Sequence, residues 1–226
     1  MKAMILAAGH GKRMRPLTNH LPKPLLKVAG RPLIVWHIEK LQQAGISDIV
    51  INMGWQGEKL PVALGDGSQW NVNIQYSDET ETGALETAGG IHKALPLLTK
   101  NDNDTFIVVN GDIWCDYPFS HLRLKPDDKA HLILVNNPAH NPEGDFALHS
   151  HRVTRHGEIK YTFSGIGCYR RSLFSNMRPG KAALAPLLYQ AIEENVVSGE
   201  YYNGDWQDIG TPERLAQLSH RLSDHP

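Results

Sequence analysis

A short apolar run, Ala3–Ala8, breaks directly into Gly9-His10-Gly11-Lys12-Arg13-Met14-Arg15-Pro16-Leu17-Thr18, and this junction constrains the fold more than any other stretch. Continuous apolar sequence of that length reads as a strand covered on both faces. Glycines at its end let backbone N–H groups approach an anion closely, and the basic side chains that follow neutralise it. Phosphate is the guest that suits such a turn. A strand-to-loop turn needing glycine for geometry alone is the competing explanation. The spacing is not the dinucleotide G-x-G-x-x-G, because position 14 is Met, and Gly11-Lys12-Arg13 lacks the upstream glycine of a Walker A loop.

Charge distribution points the same way. The 226 residues carry 23 Lys+Arg against 24 Asp+Glu, a net charge of −1. From Met1 to Ile38, however, there are seven basic residues and no acidic one, so +7 faces −8 in the remainder. A concentrated positive field on an otherwise acidic chain suits a small polyanion, and the overall balance excludes a globally basic nucleic-acid binder. No apolar run approaches the roughly 18 residues of a membrane span. The first residues meet glycine and basic side chains too soon for a signal sequence. Cys115 and Cys168 form no C-x-x-C pair, so neither a disulfide framework nor a cysteine-zinc site is expected. The expectation is a soluble cytoplasmic protein with no membrane or nucleic-acid partner.

Periodicity predicts strands at Ala3–Ala8, Asp48–Asn52, Asn71–Ser77 and Thr105–Asn110, with helices at Arg31–Ala44, Gln56–Leu64 and Thr87–Leu98 between them. That alternation argues for a mostly parallel sheet with right-handed crossovers. Further on, His131–Asn136, Lys160–Tyr169 and Trp206–Ile209 read as strands, Phe146–Ile159 as hairpin material, and Ala182–Asn195 as a helix. Thr211–Leu222 closes as a helix with Thr211 as N-cap and Pro212 in its first turn. One compact α/β domain is expected.

Leu6-Ala7-Ala8-Gly9-x-Gly11-x-Arg13-Met14-Arg15-Pro16-Leu17-Thr18, followed by Pro22-Lys23-Pro24-Leu25 and Gly30-Arg31-Pro32-Leu33-Ile34, resembles the signature of the sugar-1-phosphate nucleotidylyltransferases. The resemblance runs nearly end to end. It implies a Rossmann-like, mostly parallel mixed sheet flanked by helices. Residues up to about 112 would form the nucleotide-binding part of a single domain, and those from about 113 to 226 the sugar-binding part. The implied reaction is attack by a sugar 1-phosphate oxygen on the α-phosphorus of a nucleoside triphosphate. No protein nucleophile is needed; catalysis has to overcome repulsion between anions.

By resemblance, Ala7, Ala8, Gly9, Gly11, Lys12 and Arg13 cradle the triphosphate, and Arg13 stabilises the departing pyrophosphate. Lys23, stiffened by Pro22 and Pro24, reaches phosphate oxygens near the reacting centre. Asp112, in Asn110-Gly111-Asp112 after a strand, and Asp208, in Trp206-Gln207-Asp208-Ile209-Gly210, match the family's two metal-ligand segments. Carboxylate oxygen is the right hard ligand for Mg²⁺. Glu86, Thr87, Ala88 and Gly89 resemble the nucleobase-lining segment, with Gly111 also at the nucleotide. Asn110, Asp145, Ser164 and Gly165 are the sugar candidates. The substrate expectation, UTP with a muramyl 1-phosphate, rests on likeness to a short branch lacking the Glu-Lys-Pro segment of larger relatives, which leaves Lys160 unassigned. A mannose-1-phosphate guanylyltransferase stands as the alternative, and a non-catalytic nucleotide-sensing subunit as the rival of another class. A dinucleotide oxidoreductase is disfavoured by the failed fingerprint. Arg152, Arg155 or Lys160 is a candidate partner for the lactyl carboxylate, and Trp55 and Trp114 are candidate pocket residues. His149-Ser150-His151 reads as an exposed hairpin before it reads as a metal site.

Overall fold

In a computed structural model, residues 1–81 and 83–223 are described. Strand β1 (Lys2–Leu6) leads through the basic turn to a small ribbon, β2 (Lys27–Val28) with β3 (Arg31–Pro32), and then to α1 (Leu33–Gln43). Next come β4 (Asp48–Met53), α2 (Lys59–Leu64), β5 (Asn73–Asp78), α3 (Glu86–Leu98) and β6 (Thr105–Asn110). The second half contains β7 (Ile113–Cys115), β8 (Ala130–Val135), β9 (Phe146–His149), β10 (Arg152–Thr154) and β11 (Lys160–Arg170). It ends with α4 (Leu184–Glu193), β12 (Val197–Tyr201), β13 (Trp206–Asp208) and α5 (Pro212–Ser223).

Nine strands form one mixed sheet in the order β5-β4-β1-β6-β11-β8-β12-β10-β9. The parallel pairing expected from the strand–helix rhythm occupies β5-β4-β1-β6 and recurs between β8 and β12. The joins of β11 with β6 and β8, and of β10 with β12 and β9, are antiparallel. Strand β9 also returns to the start of β11, pairing Lys160 with Ala147, so the last five strands close on themselves.

Alternation along the strands assigns the two faces. Ala3, Ile5, Ile49, Ile51, Ile107 and Val109 pack with Ile34, Ile38 and Leu41 of α1 and Leu60 and Leu64 of α2. Met4, Val50, Phe106 and Val108 pack on the other face with Ile91 and Leu95 of α3 and Leu188 of α4. A third cluster joins Met14 of the basic turn to Leu33, Trp114, Ile209, Leu215 and Leu218. Met14, the residue that breaks the dinucleotide fingerprint, is fully buried and anchors the turn.

Boundaries move where local chemistry competes with periodicity. Ala7 and Ala8 leave β1 because the Ala7 N–H donates to Asn52 Oδ1 (2.7 Å) rather than to a strand. The helix expected from Gln56 begins only at Lys59, since Gln56 has a left-handed backbone (φ 55°) inside a turn. Pro32 caps α1 rather than opening it. Thr211 does cap α5, its Oγ1 accepting from Arg214 N at 3.4 Å. Strand β12 escaped periodicity because Gly199 sits at its centre, where a Cβ would lie 2.7 Å from Val153 Cγ2.

His37 of α1 is buried, and with Nε2 2.8 Å from the Ile113 carbonyl it joins the helix to β7. Burial pushes its pKa down to about 4, so the ring is neutral and Nε2–H donates. Between pH 6.5 and about 4 the unfolded chain binds a proton that the folded one refuses, so stability falls as pH falls through that window. The full loss is about 3 kcal/mol. Urea unfolding of the protein and of His37→Gln across pH 4–7 should show the variant with the shallower pH dependence.

Candidate active site

A cleft of about 360 Å³ opens at the carboxyl edge of β1 and β6, where open α/β sheets take their ligands. The turn after β1 forms one wall: Ala7, Ala8, Gly9, Gly11, Lys12 and Arg13 all line it. Gly11 adopts φ +58°, and Thr18 Oγ1 donates to its carbonyl at 2.8 Å. Trp55, half-exposed, meets the His10 ring edge-on and donates from Nε1 to the Thr18 carbonyl at 3.2 Å, so it steadies the turn without lining the cleft. Glu86 and Thr87 at the start of α3 form the opposite wall.

Lys23 lines the cleft from a single 3-10 turn and is only 8% exposed. Its Nζ lies 2.8 Å from Asp112 Oδ2. Asp112 follows β6, and the β7–β13 pairing carries Asp208 to it: Asp208 sits opposite Ile113, and Ile209 N donates to the Asp112 carbonyl at 2.9 Å. Asp208 Oδ2 accepts from Arg214 Nη1 at 2.6 Å and lies 3.4 Å from His140 Nε2. Gly210 lines the cleft among these groups. A Cβ there would lie 2.9 Å from Asp208 Oδ2, 3.1 Å from Arg214 Nη1 and 3.5 Å from Arg13 Nη1. Backbone pairing thus brings two aspartates 96 positions apart close in the fold; Asp112 lines the cleft, whereas Asp208 stands outside its lining, behind Gly210. Among the described residues no three His, Cys, Asp or Glu side chains form a metal cage. Asp112 in the cleft and Asp208 behind Gly210 offer carboxylate oxygens, the donor chemistry that suits a hard cation such as Mg²⁺.

Several expected contacts lie behind the lining. Ala88 is buried in the helix interface, and Gly89 faces residues 180–182, where a Cβ would lie 2.3 Å from the Gly180 carbonyl. Gly111 lets the end of β6 pass against β1, its N–H reaching Leu6 O at 2.9 Å. Asn110 lines the cleft, backed by Gly165, whose Cβ would lie 2.5 Å from Asn110 Nδ2. Asp145 and Ser164 support β11 instead of facing the cleft, accepting from Phe163 N (2.8 Å) and Ile166 N (3.1 Å). Trp114 is buried between Lys40 and Arg221. Arg152 is committed to the buried Asp128, and Arg155 to Glu193 and the face of Tyr189, so neither lines the cleft. His149 and His151 are exposed on the β9–β10 hairpin.

Sequence reading missed Asn52, Glu79, Arg214 and His140. Glu79 follows β5 in the run Ser77-Asp78-Glu79-Thr80-Glu81, where nothing distinguishes the buried acid from its exposed neighbours. Arg214 looked like an ordinary first-turn residue of α5.

The turn generates a contrast between its glycines. Gly11→Ala forces a left-handed alanine whose Cβ lies 2.9 Å from Thr18 Cγ2, whereas a Cβ at Gly9 meets nothing within 4 Å. Urea unfolding should show Gly11→Ala less stable by about 1–2 kcal/mol and Gly9→Ala unchanged.

The sequence profile of the nucleotidyl transferase family matches residues 2–148. The N-acetylmuramate alpha-1-phosphate uridylyltransferase of Neisseria meningitidis serogroup B is 51% identical over 226 residues, covering 96% of each chain. The mannose-1-phosphate guanyltransferase of Aspergillus fumigatus is 33% identical over 94% of this chain, which spans 61% of that relative's length. A candidate glucose-1-phosphate thymidylyltransferase of Bacillus anthracis, crystallised with sucrose, superposes with a TM-score of 0.84. That superposition covers 100% of this chain and 96% of the other at 23% identity, and it shows the shared fold. With the profile matching more than half of its residues, this chain belongs to the nucleotidyl transferase family.

Proposed function

We propose that the protein transfers a uridylyl group from UTP to N-acetylmuramic acid 1-phosphate, releasing pyrophosphate and UDP-N-acetylmuramic acid. The reading is carried by the 51% identity to a uridylyltransferase of that substrate across nearly the whole of both chains. A guanylyl reading has weaker support, from relatives of which this chain spans only 61%. No helix among the described residues is long and apolar enough to cross a membrane.

In this reading the sugar phosphate oxygen attacks the α-phosphorus in line, and the bond to the bridging oxygen of the β-phosphate breaks. The chain supplies positioning and charge. Backbone groups of Ala7–Gly11, with Lys12 and Arg13, hold the triphosphate, and Arg13 balances charge building on pyrophosphate. Lys23, already desolvated, faces the reacting phosphates. The first turn of α3, with Glu86 and Thr87, faces the base. Residues up to about 112 serve the nucleotide and those beyond serve the sugar, with Asn110 at the boundary and Asp208 crossing back. Asp112 and Asp208 are the residues that would hold Mg²⁺. When bound, that ion neutralises phosphate charge and orients the triphosphate.

The test is a matrix of UTP, GTP, dTTP and ATP against muramyl, glucosaminyl, mannosyl and glucosyl 1-phosphates, scored for pyrophosphate. UTP with the muramyl substrate should give the highest kcat/KM. A preference for GTP with mannose 1-phosphate would replace the proposal, and absence of pyrophosphate from every pair would favour a nucleotide-sensing subunit. Asp112→Asn should lower kcat by about 100-fold or more while the circular dichroism spectrum is unchanged; full activity would remove Asp112 from the site.

A further inference from the structure

We infer that Asn52 and Glu79 are positioning residues, a buried bridge that sets the distance between the two walls of the nucleotide pocket. The inference rests on the proposed nucleotide reading, with phosphates against the turn after β1 and the base against the start of α3.

The bridge crosses the carboxyl edge of three adjacent parallel strands. Ala7 N, just past β1, donates to Asn52 Oδ1 at 2.7 Å. Asn52 Nδ2, on β4, donates to Glu79 Oε1 at 2.7 Å, and Leu85 N donates to Glu79 Oε2 at 3.2 Å. One wall therefore reaches the other through two side chains. Asn52 is 3% exposed and Glu79 1%, and both lie in the floor of the cleft between its two walls. Burying a carboxylate is costly unless donors surround it, and here donors arrive from both walls. An asparagine suits the middle place because a single amide accepts from one side and donates to the other.

Two glycines press the surroundings onto this bridge. A Cβ at Gly90 of α3 would lie 2.6 Å from Glu79 Oε1 and 3.1 Å from Asn52 Nδ2. A Cβ at Gly54 would lie 2.4 Å from the Ala8 carbonyl, so the segment after β4 also abuts the turn. The Gly89-Gly90 pair thus has two separate tasks: Gly89 admits residues 180–182, and Gly90 admits the bridge.

A ligand that spans both walls gains from a fixed separation, because binding one end presents the other at high effective concentration. A ligand that touches one wall gains nothing from it. Asn52→Asp tests this directly: it keeps an acceptor for Ala7 N but sets a second carboxylate against Glu79, where like charges oppose each other. Gly90→Ala perturbs the same bridge from the helix side. Calorimetric titration of the unaltered protein and both variants should use UTP, uridine and pyrophosphate, with urea unfolding as the check on folding. Both variants should bind UTP about tenfold more weakly while uridine changes by less than about twofold; in Gly90→Ala, which adds no charge to the cleft, pyrophosphate should also change by less than about twofold. In turnover, KM for UTP should rise while kcat and KM for the sugar phosphate hold. Equal weakening of pyrophosphate and UTP in Gly90→Ala, or undiminished UTP binding in either folded variant, would overturn the bridge as a spacer. Failure of the unaltered protein to bind UTP or pyrophosphate would overturn the nucleotide reading and this inference with it.

Discussion

The parallel pairing of β1 with β4 and β6 is the constraint on which the rest of the molecule depends. It sends the ends of these strands to the same edge, with Leu6 opposite Asn110 and Ile5 opposite Ile51. The basic turn, the Asn52 side chain and the Asn110-Gly111-Asp112 corner therefore leave the sheet side by side. Apolar alternation within each strand seals both faces, so the edge is where these strands can meet a polar guest. Gly111 tightens the arrangement by letting the backbone after β6 hydrogen-bond to the end of β1.

Electrostatics then gathers what topology has aligned. The amino-terminal excess of positive charge does not stand alone in space: Lys23 is neutralised by Asp112, and Arg214 is seated on Asp208. Ion pairs of this kind, partly withdrawn from water, are favourable only when the geometry is good and further hydrogen bonds are made. Each aspartate is held from behind by backbone pairing between β7 and β13. The result is a compact arrangement of alternating sign, Lys23 against Asp112 and Arg214 against Asp208.

Much of this was legible in the sequence. The Thr105–Asn110 strand has the expected bounds, and the turn at Gly9–Arg13 lines the cleft as its chemistry suggests. The backbone next to Asp112 pairs with that at Asp208 although nothing between them announces it. Other features were not legible, for physical reasons. Strand β7 is too short to show a period, and β12 hides its pattern around a glycine. Buried polar residues are the hardest to find: Glu79 and Asn52 sit in sequence contexts shared by exposed residues, and only the packing of α3 onto them reveals their burial. Gly89, Ser164 and Asp145 illustrate the opposite error. Each lies in a segment adjacent to the cleft, yet each is spent on backbone support. A motif identifies a neighbourhood, and the side chain's own hydrogen bonds decide whether it faces the ligand.

The pairing of β13 with β7 has a consequence for how the molecule comes into being. A chain emerging from the ribosome presents the basic turn well before the residues around Asp208. The strands of the large sheet all precede them, so that sheet is in place before the second carboxylate arrives. The charge pattern begun at the basic turn is therefore closed only when a three-residue strand docks, some two hundred residues further along the chain.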